Sequence, residues 1–277
     1  MAKAVNSELA TRINSALVLA GLTLALTYAG TQTFAALILF ATSLMSWEWG
    51  RVVRGVGVDW IFALQTAAIV AAGFLTLMKW PELAVALIIA ATWLAFRMHK
   101  AAKLPRDPWW SAAGVYYAGF PAIALIAIRQ DPEYGFYAIL YLFLVVWSAD
   151  TGAFFVGRLI GGPKLAPKIS PNKTWSGFIG GALAACLAGA LFAVWLGQTS
   201  ILALAALSAA FAVIAQGGDL GESFIKRCFG VKDSSGLIPG HGGVLDRLDG
   251  LVFAAIGAGL IAAAADPLKP GRALLVW

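Results

Sequence analysis

The chain has 277 residues, of which 60% are apolar and only 12% are charged, and its mean hydropathy is +0.81. Soluble domains contain roughly 45–50% apolar and about 25% charged residues, so this composition excludes a soluble fold and makes lipid the solvent of most of the chain. The formal net charge of +6 fits an anionic lipid, an anionic substrate or nucleic acid, and the positions of the charges must decide among them. Cys186 and Cys228 have no partner at metal-ligand spacing, which predicts neither a disulfide framework nor a zinc site.

The apolar residues are grouped into runs. A membrane-spanning helix needs about 20 mostly apolar residues, and nine runs meet or approach this length. In chain order they cover residues 13–29, 31–46, 59–78, 81–96, 110–128, 134–155, 176–196, 200–216 and 250–265. The sequence therefore predicts an all-α integral membrane protein with about nine transmembrane helices.

The lysine and arginine residues predict the orientation of these spans, because cytoplasmic loops of membrane proteins are rich in both. With a cytoplasmic N-terminus, nine spans place 16 of the 20 on the cytoplasmic side, namely Lys3, Arg12, Arg51, Arg54, Arg97, Lys100, Lys103, Arg106, Arg158, Lys164, Lys168, Lys173, Lys226, Arg227, Lys232 and Arg247. The other four are Lys79, Arg129, Lys269 and Arg272. This asymmetry predicts a cytoplasmic N-terminus and a C-terminus outside.

The sequence contains no internal repeat, which predicts a single polytopic membrane domain over residues 1–277. Two of the predicted cytoplasmic loops are long, at residues 156–175 and 217–249, and long loops in compact proteins often carry the function. Residues 141–277 are therefore the predicted catalytic part, whereas residues 1–140 are a membrane-embedded part without a matched motif.

The last loop concentrates carboxylates, cations and glycines at the edge of an apolar protein. A mixed-charge loop at a membrane surface is often only a solvated connection. That interpretation accounts poorly for Asp219, which ends an apolar run, and for Asp246 and Asp249, which directly precede the last run. Neighbouring carboxylates favour Mg²⁺, lysine and arginine favour phosphate oxygens, and glycines let backbone N–H groups approach a phosphate. The loop therefore predicts a site for polyphosphate chemistry.

Three segments carry a resemblance to one family. Residues 223–249 contain S-x-apolar-K-R, four residues, K-D, and then H-G-G-apolar-x-D-R-apolar-D. Residues 168–177 read K-I-S-P-N-K-T-W-S-G, and residues 150–154 read D-T-G-A-F. This set resembles the CDP-diacylglycerol synthases, also called phosphatidate cytidylyltransferases, although Ser176 stands where many members have Glu or Gln.

The resemblance implies a reaction in which the phosphate of phosphatidic acid attacks the α-phosphorus of CTP and pyrophosphate leaves. It also implies dependence on Mg²⁺ and a location in the cytoplasmic (inner) membrane of a bacterium, with the active site facing the cytoplasm, in agreement with the predicted orientation. The expected partners are CTP, phosphatidic acid and membrane lipid, and not nucleic acid. The sequence leaves open whether the chain forms a homo-oligomer.

Aspartates are the predicted magnesium ligands. Asp219 and Asp246 are the first choice, because a cation held there against the triphosphate would neutralise charge on the leaving pyrophosphate. Asp249, three residues after Asp246, and Asp150, near the end of an apolar run, are further candidates. Asp150 has the alternative interpretation of a helix-end charge in contact with headgroup water. A second cation is compatible with this set.

The remaining predicted site residues are assigned to catalysis or to substrate binding. Lys226 and Arg227 join the aspartates in the predicted catalytic set. The predicted substrate-binding residues are Ser223, Lys232, Asp233, His241, Arg247, Lys168, Ser170, Asn172, Lys173 and Thr174. His241 is assigned to binding because an attacking phosphate is already ionised and hardly needs a general base. The cations among these residues also have an interpretation as positive-inside anchors.

Other functions share the membrane setting. A CTP-dependent lipid kinase would use the same nucleotide and metal but would transfer the γ-phosphoryl group. A polytopic transporter would place charges within spans between repeated halves, whereas here they cluster in two loops. A CDP-alcohol phosphotransferase is excluded because the residues after Asp249-Gly250 lack the alanine, arginine and aspartate spacing that it requires.

Overall fold

The structure is a computed structural model that describes residues 2–240 and 242–277, with side chains from Asn14 onwards. His241, a predicted substrate-binding residue, lies outside the described residues. The described chain is helical apart from one short antiparallel hairpin. In chain order its elements are α1 (Ala2–Ala29), α2 (Thr31–Arg54), α3 (Trp60–Leu77), α4 (Pro81–Ala101), α5 (Pro108–Arg129), α6 (Gly135–Ile160), β1 (Lys164–Ala166), β2 (Ser170–Thr174), α7 (Trp175–Trp195), α8 (Ile201–Cys228), α9 (Leu245–Ala265) and α10 (Pro270–Leu275).

The helices agree with the apolar runs of the sequence. Each of the nine runs falls on one of the helices α1 to α9. Within the described part of the chain, seven helices, α3 to α9, are long and apolar enough to cross a membrane, whereas the apolar part of α1 is limited to Asn14–Ala29. Their outer faces expose large apolar side chains such as Leu83, Trp93 and Leu183, as expected where lipid is the solvent. The all-helical fold with several candidate membrane-spanning helices is thus confirmed, while the number nine and the sides of the termini stay predictions.

The chain forms two compact units. The first comprises Met1–Ile126 and Phe229–Leu248, and the second comprises Ala127–Cys228 and Asp249–Trp277. In the first unit α2 packs against α1 and α3, and α3 packs against α4. In the second unit α6, α7 and α8 pack against one another, and α10 packs against α6. The first unit ends at Ile126, near residue 140, where the sequence predicted the division between the N-terminal part and the catalytic part. The segment 229–248, however, belongs to the first unit.

Small residues let α6 and α7 pack closely within the second unit. A Cβ atom added at Gly177 would lie 2.8 Å from the carbonyl oxygen of Ala153, and one at Gly181 would lie 2.7 Å from that of Ala149. Both positions are too tight for a side chain, so the G-x-x-x-G spacing brings two backbones together. This contact fixes the end of α6 and the start of α7, between which the hairpin of β1 and β2 is held.

Both long loops are shorter than the sequence predicted. The first covers residues 161–174, and most of it is the hairpin. The second covers residues 229–244 rather than 217–249, because α8 continues to Cys228.

Two interactions explain the longer helix α8. A Cβ atom at Gly218 would lie 2.5 Å from the ring of Phe253, so the glycine lets α8 pack directly against that aromatic side chain in α9. Glu222 pairs with Lys226 one turn later, which is the spacing that stabilises a helix. The prediction of a loop was therefore wrong for residues 217–228, which carry Asp219, Ser223, Lys226 and Arg227 on one helix.

Candidate active site

Lys173 and Asp219 form the centre of a charged cluster in the second unit. Lys173 lies on β2, which pairs with β1 and leads directly into α7, and Asp219 lies on α8. The Nζ of Lys173 is 2.5 Å from Oδ2 of Asp219, and the hydroxyl of Ser223 donates a long hydrogen bond of 3.5 Å to Oδ1. The two charged side chains are 25% and 35% exposed, although the Nζ atom of Lys173 is itself buried. The fold thus joins two residues that the sequence assigned to separate loops.

Two further carboxylates lie near this ion pair. Asp249 of α9 interacts electrostatically with Asp219 and Asp150 as well as with Lys173. Its Oδ1 also accepts a hydrogen bond of 2.8 Å from the backbone N–H of Gly250. Asp249 thus interacts with two other carboxylates and only one ammonium group, and such an excess of negative charge favours the binding of a cation. Asp249 is therefore associated with Asp219 directly, and Asp150 is associated with Asp249.

The end of α8 carries two cations beside the same cluster. Lys226 is 12% exposed and its Nζ lies 2.6 Å from Oε2 of Glu222, which is only 1% exposed. Arg227 is exposed, and its Nε donates a long hydrogen bond of 3.5 Å to the carbonyl oxygen of Ile169 in the turn of the hairpin. Both predicted catalytic cations thus lie on the helix of Asp219, and one of them contacts the hairpin. Glu222 was not assigned a role by the sequence.

The other predicted hairpin residues divide by exposure. Lys168 and Asn172 are exposed and Ser170 is partly exposed, as a wall for phosphate binding requires. Thr174 is buried, and its side-chain oxygen accepts a hydrogen bond of 3.1 Å from the backbone N–H of Gly177. That bond caps the first turn of α7, so the structure gives the Thr174 hydroxyl a role in the fold.

Asp246 belongs to the first unit, where it organises the start of α9. Its Oδ2 accepts hydrogen bonds from the backbone N–H of Gly243 at 2.8 Å and from both the N–H and the hydroxyl of Ser234 at 3.0 Å. A carboxylate offers about four lone-pair sites, so these bonds are compatible with a cation as an additional ligand. A side chain at Gly243 would overlap Ser234 and Glu48, which explains the second glycine of the H-G-G pattern.

Glu48 is a buried carboxylate that the sequence analysis missed. It lies on α2 with 0% exposure and receives four hydrogen bonds. Its Oε1 accepts from the Ser235 hydroxyl at 2.5 Å and the Val244 N–H at 3.0 Å, and its Oε2 accepts from the Ser234 hydroxyl at 3.1 Å and the Leu245 N–H at 2.6 Å. Glu48 therefore connects α2 to the segment before α9 and caps α9 itself.

The Ser234 hydroxyl lies between two carboxylates. Its oxygen is 3.1 Å from Glu48 and 3.0 Å from Asp246. Because a hydroxyl group has a single hydrogen atom, it donates fully to only one of them at a time. A change in the charge at Asp246 therefore changes how strongly the Ser234 hydroxyl donates to Glu48.

The remaining predicted residues of this segment are solvent-accessible. Lys232 and Asp233 are exposed and line a cleft of the first unit, together with Arg51 of α2. Arg247 is exposed in the first turn of α9. The positively charged residues among them suit contacts with an anionic substrate.

The carboxylates fit a loosely preorganised magnesium site. Among the described residues, no three side chains of His, Cys, Asp or Glu converge as a ready-made metal centre. Mg²⁺ does not require such a centre, because it binds through one or two carboxylates and takes its other ligands from water and substrate phosphates. Asp219, with Asp249 and Asp150 nearby, supplies that donor set in the second unit.

Helical membrane spans with acidic and basic side chains at their ends define a membrane protein suited to a phosphate-containing substrate. The profile of the cytidylyltransferase family matches residues 10–264. The chain is 41% identical to the phosphatidate cytidylyltransferase of Brucella suis biovar 1 over 257 residues, which are 90% of this chain and 91% of the relative. It therefore belongs to the cytidylyltransferase family.

Two further relatives match about half of the chain. The phosphatidate cytidylyltransferase of Haemophilus influenzae is 46% identical over 144 residues, which are 50% of each chain. That of Bacillus subtilis is 43% identical over 139 residues, which are 50% of this chain and 51% of the relative. The resemblance seen in the sequence motifs is thus confirmed.

Proposed function

We propose that this chain is a phosphatidate cytidylyltransferase, which converts CTP and phosphatidic acid into CDP-diacylglycerol and pyrophosphate. The observation that carries the proposal is its 41% identity to a relative of that name over 90% of the chain. The Lys173–Asp219 pair, with cations and carboxylates around it, supplies the charge pattern that such a reaction needs.

The reaction forms one bond and breaks another at the same phosphorus atom. An oxygen of the phosphatidate phosphate attacks the α-phosphorus of CTP, and the bond from that phosphorus to the bridging β-oxygen breaks. The leaving oxygen takes the electron pair, and the β- and γ-phosphates depart together as pyrophosphate. Because the attacking oxygen is already ionised, the role of the protein is to orient two anions and to offset their repulsion.

We assign that orientation to the cations of the second unit. Lys173 and Arg227 contact phosphate oxygens from the hairpin and from α8, and Lys226 adds a charge that Glu222 holds in place. Lys168, Ser170 and Asn172 extend the same wall, since all three lie on the hairpin. In the first unit Lys232, Asp233, His241 and Arg247 remain predicted substrate contacts.

Magnesium is the proposed cofactor. Bound Mg²⁺ would neutralise the charge that develops on the pyrophosphate. Asp219 would hold it in the second unit, with Asp249 and Asp150 as further candidates, and Asp246 remains the predicted ligand in the first unit. A second cation is compatible with the surplus of carboxylates around Asp249.

The proposed location is the inner membrane of a bacterium, with nine spans, a cytoplasmic N-terminus and the active site facing the cytoplasm. Support comes from the 16-to-4 distribution of lysine and arginine, and from bacterial relatives. The test places single cysteines at the exposed residues Ala102 and Leu268 after Cys186 and Cys228 have been replaced by serine. An impermeant thiol reagent added to intact cells should label Leu268→Cys and spare Ala102→Cys. The reverse pattern would refute the orientation.

Labelled CTP tests the reaction itself. Purified protein with phosphatidic acid and Mg²⁺ should transfer label from α-labelled CTP into the lipid phase and none from γ-labelled CTP, with pyrophosphate appearing in step. Transfer of γ-label alone would instead identify a lipid kinase. If the protein is folded and binds CTP but neither label enters the lipid, the result would favour a transporter.

A further inference from the structure

A cleft in the first unit brings together charged residues from distant parts of the sequence. It has a volume of about 460 Å³ and is open to solvent. One wall consists of Arg51 and Val52 at the end of α2, and the other is the segment 231–236 that precedes α9. Arg51 was predicted only as a topological anchor, and nothing in the sequence related it to Lys232.

The wall formed by residues 231–236 is held in place by Glu48, a buried side chain of α2. Glu48 lies one turn before Arg51 on α2 and is fully buried. It accepts hydrogen bonds from the hydroxyls of Ser234 and Ser235, which also line the cleft. Helix α2 therefore carries one cation of the cleft and fixes the opposite wall through a charge-assisted contact, so the spacing of the two walls is determined by the fold.

The charges of the cleft favour an anion. Arg51 and Lys232 contribute two positive charges against the single carboxylate of Asp233, and among the described residues no ion pair joins any of the three. The guanidinium of Arg51 lies over the ring of Trp47, 4.9 Å from its centroid, which restricts its orientation while the side chain stays exposed. A planar guanidinium whose orientation is restricted matches two oxygens of a phosphate. The single carboxylate of Asp233 cannot neutralise both Lys232 and Arg51.

We infer that this cleft binds a phosphate group and that Arg51 is a phosphate-binding residue of it. The source of the phosphate rests on the proposed function, since both CTP and phosphatidic acid carry one. Glu48 acts as a positioning residue, which sets the wall formed by Ser234 and Ser235. Lys232, already predicted from the sequence to bind substrate, binds the same group from the opposite side.

Kinetics of Arg51→Gln test this inference against a matched control. Arg97 on α4 is also exposed, also stacks on a tryptophan one turn earlier, at 5.0 Å from the Trp93 centroid, and lies outside the cleft. Loss of one charge-assisted phosphate contact should raise KM about tenfold with a smaller change in kcat. A rise in KM for CTP identifies a nucleotide phosphate, and a rise in KM for phosphatidate identifies the lipid phosphate, while Arg97→Gln leaves both unchanged. Both KM values within about twofold of wild type in Arg51→Gln would overturn the inference.

A second measurement does not depend on turnover. Isothermal titration calorimetry measures the affinity of wild type, Arg51→Gln and Lys232→Gln for inorganic pyrophosphate. An unchanged thermal midpoint of each variant serves as the control for folding. An affinity about tenfold weaker in both variants supports the cleft even if the wild-type protein proves inactive with CTP, which would reject only the proposed function. Equal affinity in wild type and both variants rejects the cleft whatever the activity is.

Discussion

Two pairs of carboxylates, one pair in each unit, have different partners. In the first unit Glu48 and Asp246 accept hydrogen bonds from backbone N–H groups and serine hydroxyls. In the second unit Asp219 and Glu222 are paired with the ammonium groups of lysines. Glu48 and Asp246 therefore have neutral donors, whereas Asp219 and Glu222 each face a positive charge.

This difference indicates different roles. A backbone N–H is part of the chain, so a carboxylate that accepts from it is fixed to the fold, and its loss leaves a buried donor unpaired. A lysine ammonium sits on a flexible side chain, and it can leave a carboxylate when a cation arrives or turn to a phosphate. Glu48 and Asp246 thus mainly hold a segment in place, whereas we expect Asp219 to exchange its partner.

The largest expected effect concerns Asp219. Asp219→Asn should lower activity about 100-fold or more, because loss of a metal ligand removes several kcal/mol of transition-state stabilisation. The thermal midpoint should fall only slightly, since the amide oxygen of the new Asn can still accept a hydrogen bond from Lys173, whose Nζ is buried. Activity of the wild type should disappear with a chelator and return with Mg²⁺.

Two variants sharpen this result. Asp246→Asn should lose activity to a similar extent but should also lower the thermal midpoint, because its oxygens hold Ser234 and Gly243. Glu133→Gln removes an exposed carboxylate of the second unit and should leave both quantities unchanged. Near-normal turnover by Asp219→Asn at saturating Mg²⁺ would contradict the metal assignment.

The next effect concerns stability and the first unit. Each oxygen of Glu48 accepts from one backbone N–H, Val244 to Oε1 and Leu245 to Oε2. In Glu48→Gln the amide NH₂ replaces one oxygen, so one of these N–H groups faces a donor whichever way the amide turns. The expected cost is about 1–3 kcal/mol of unfolding free energy, measured as a lower thermal midpoint in detergent.

Ser235→Ala provides the graded comparison for Glu48. It removes one hydroxyl donor and leaves three hydrogen bonds on the carboxylate, so the midpoint should fall less than in Glu48→Gln. If Glu48→Gln were as stable as wild type, the carboxylate would not be holding the segment, and the contrast between the two units would fail.

The helices were predictable from the sequence because span length and apolarity are local properties. The end of α8 was not, since residues 217–228 have loop-like composition and their helical state depends on contacts of Gly218 with Phe253. Charge alone therefore did not distinguish a polar helix end from a loop.

The site was predictable only where its residues fall within the motifs. Lys173 and Asp219 were identified separately, but their contact depends on the hairpin. Glu48 was missed because its partners are 186 to 197 residues away along the chain. One local signal was present: Glu48 stands between two tryptophans directly after an apolar run, and a carboxylate at such a position is costly unless it has a partner.

The smallest effect tests whether Lys173 exchanges its partner. If its ammonium turns from Asp219 to a substrate phosphate, Lys173→Ala should raise KM for CTP or phosphatidate about tenfold, which is the value of one charge-assisted contact, and should hardly change the thermal midpoint. Lys164→Ala on the facing strand β1 removes an equally positive, exposed side chain of the same hairpin and should leave the kinetics unchanged. Wild-type KM values in Lys173→Ala would mean that this lysine only balances the charge of Asp219. Equal effects of both alanine variants would mean that the hairpin attracts substrate through its overall charge, and the second unit would then present no specific partner for exchange.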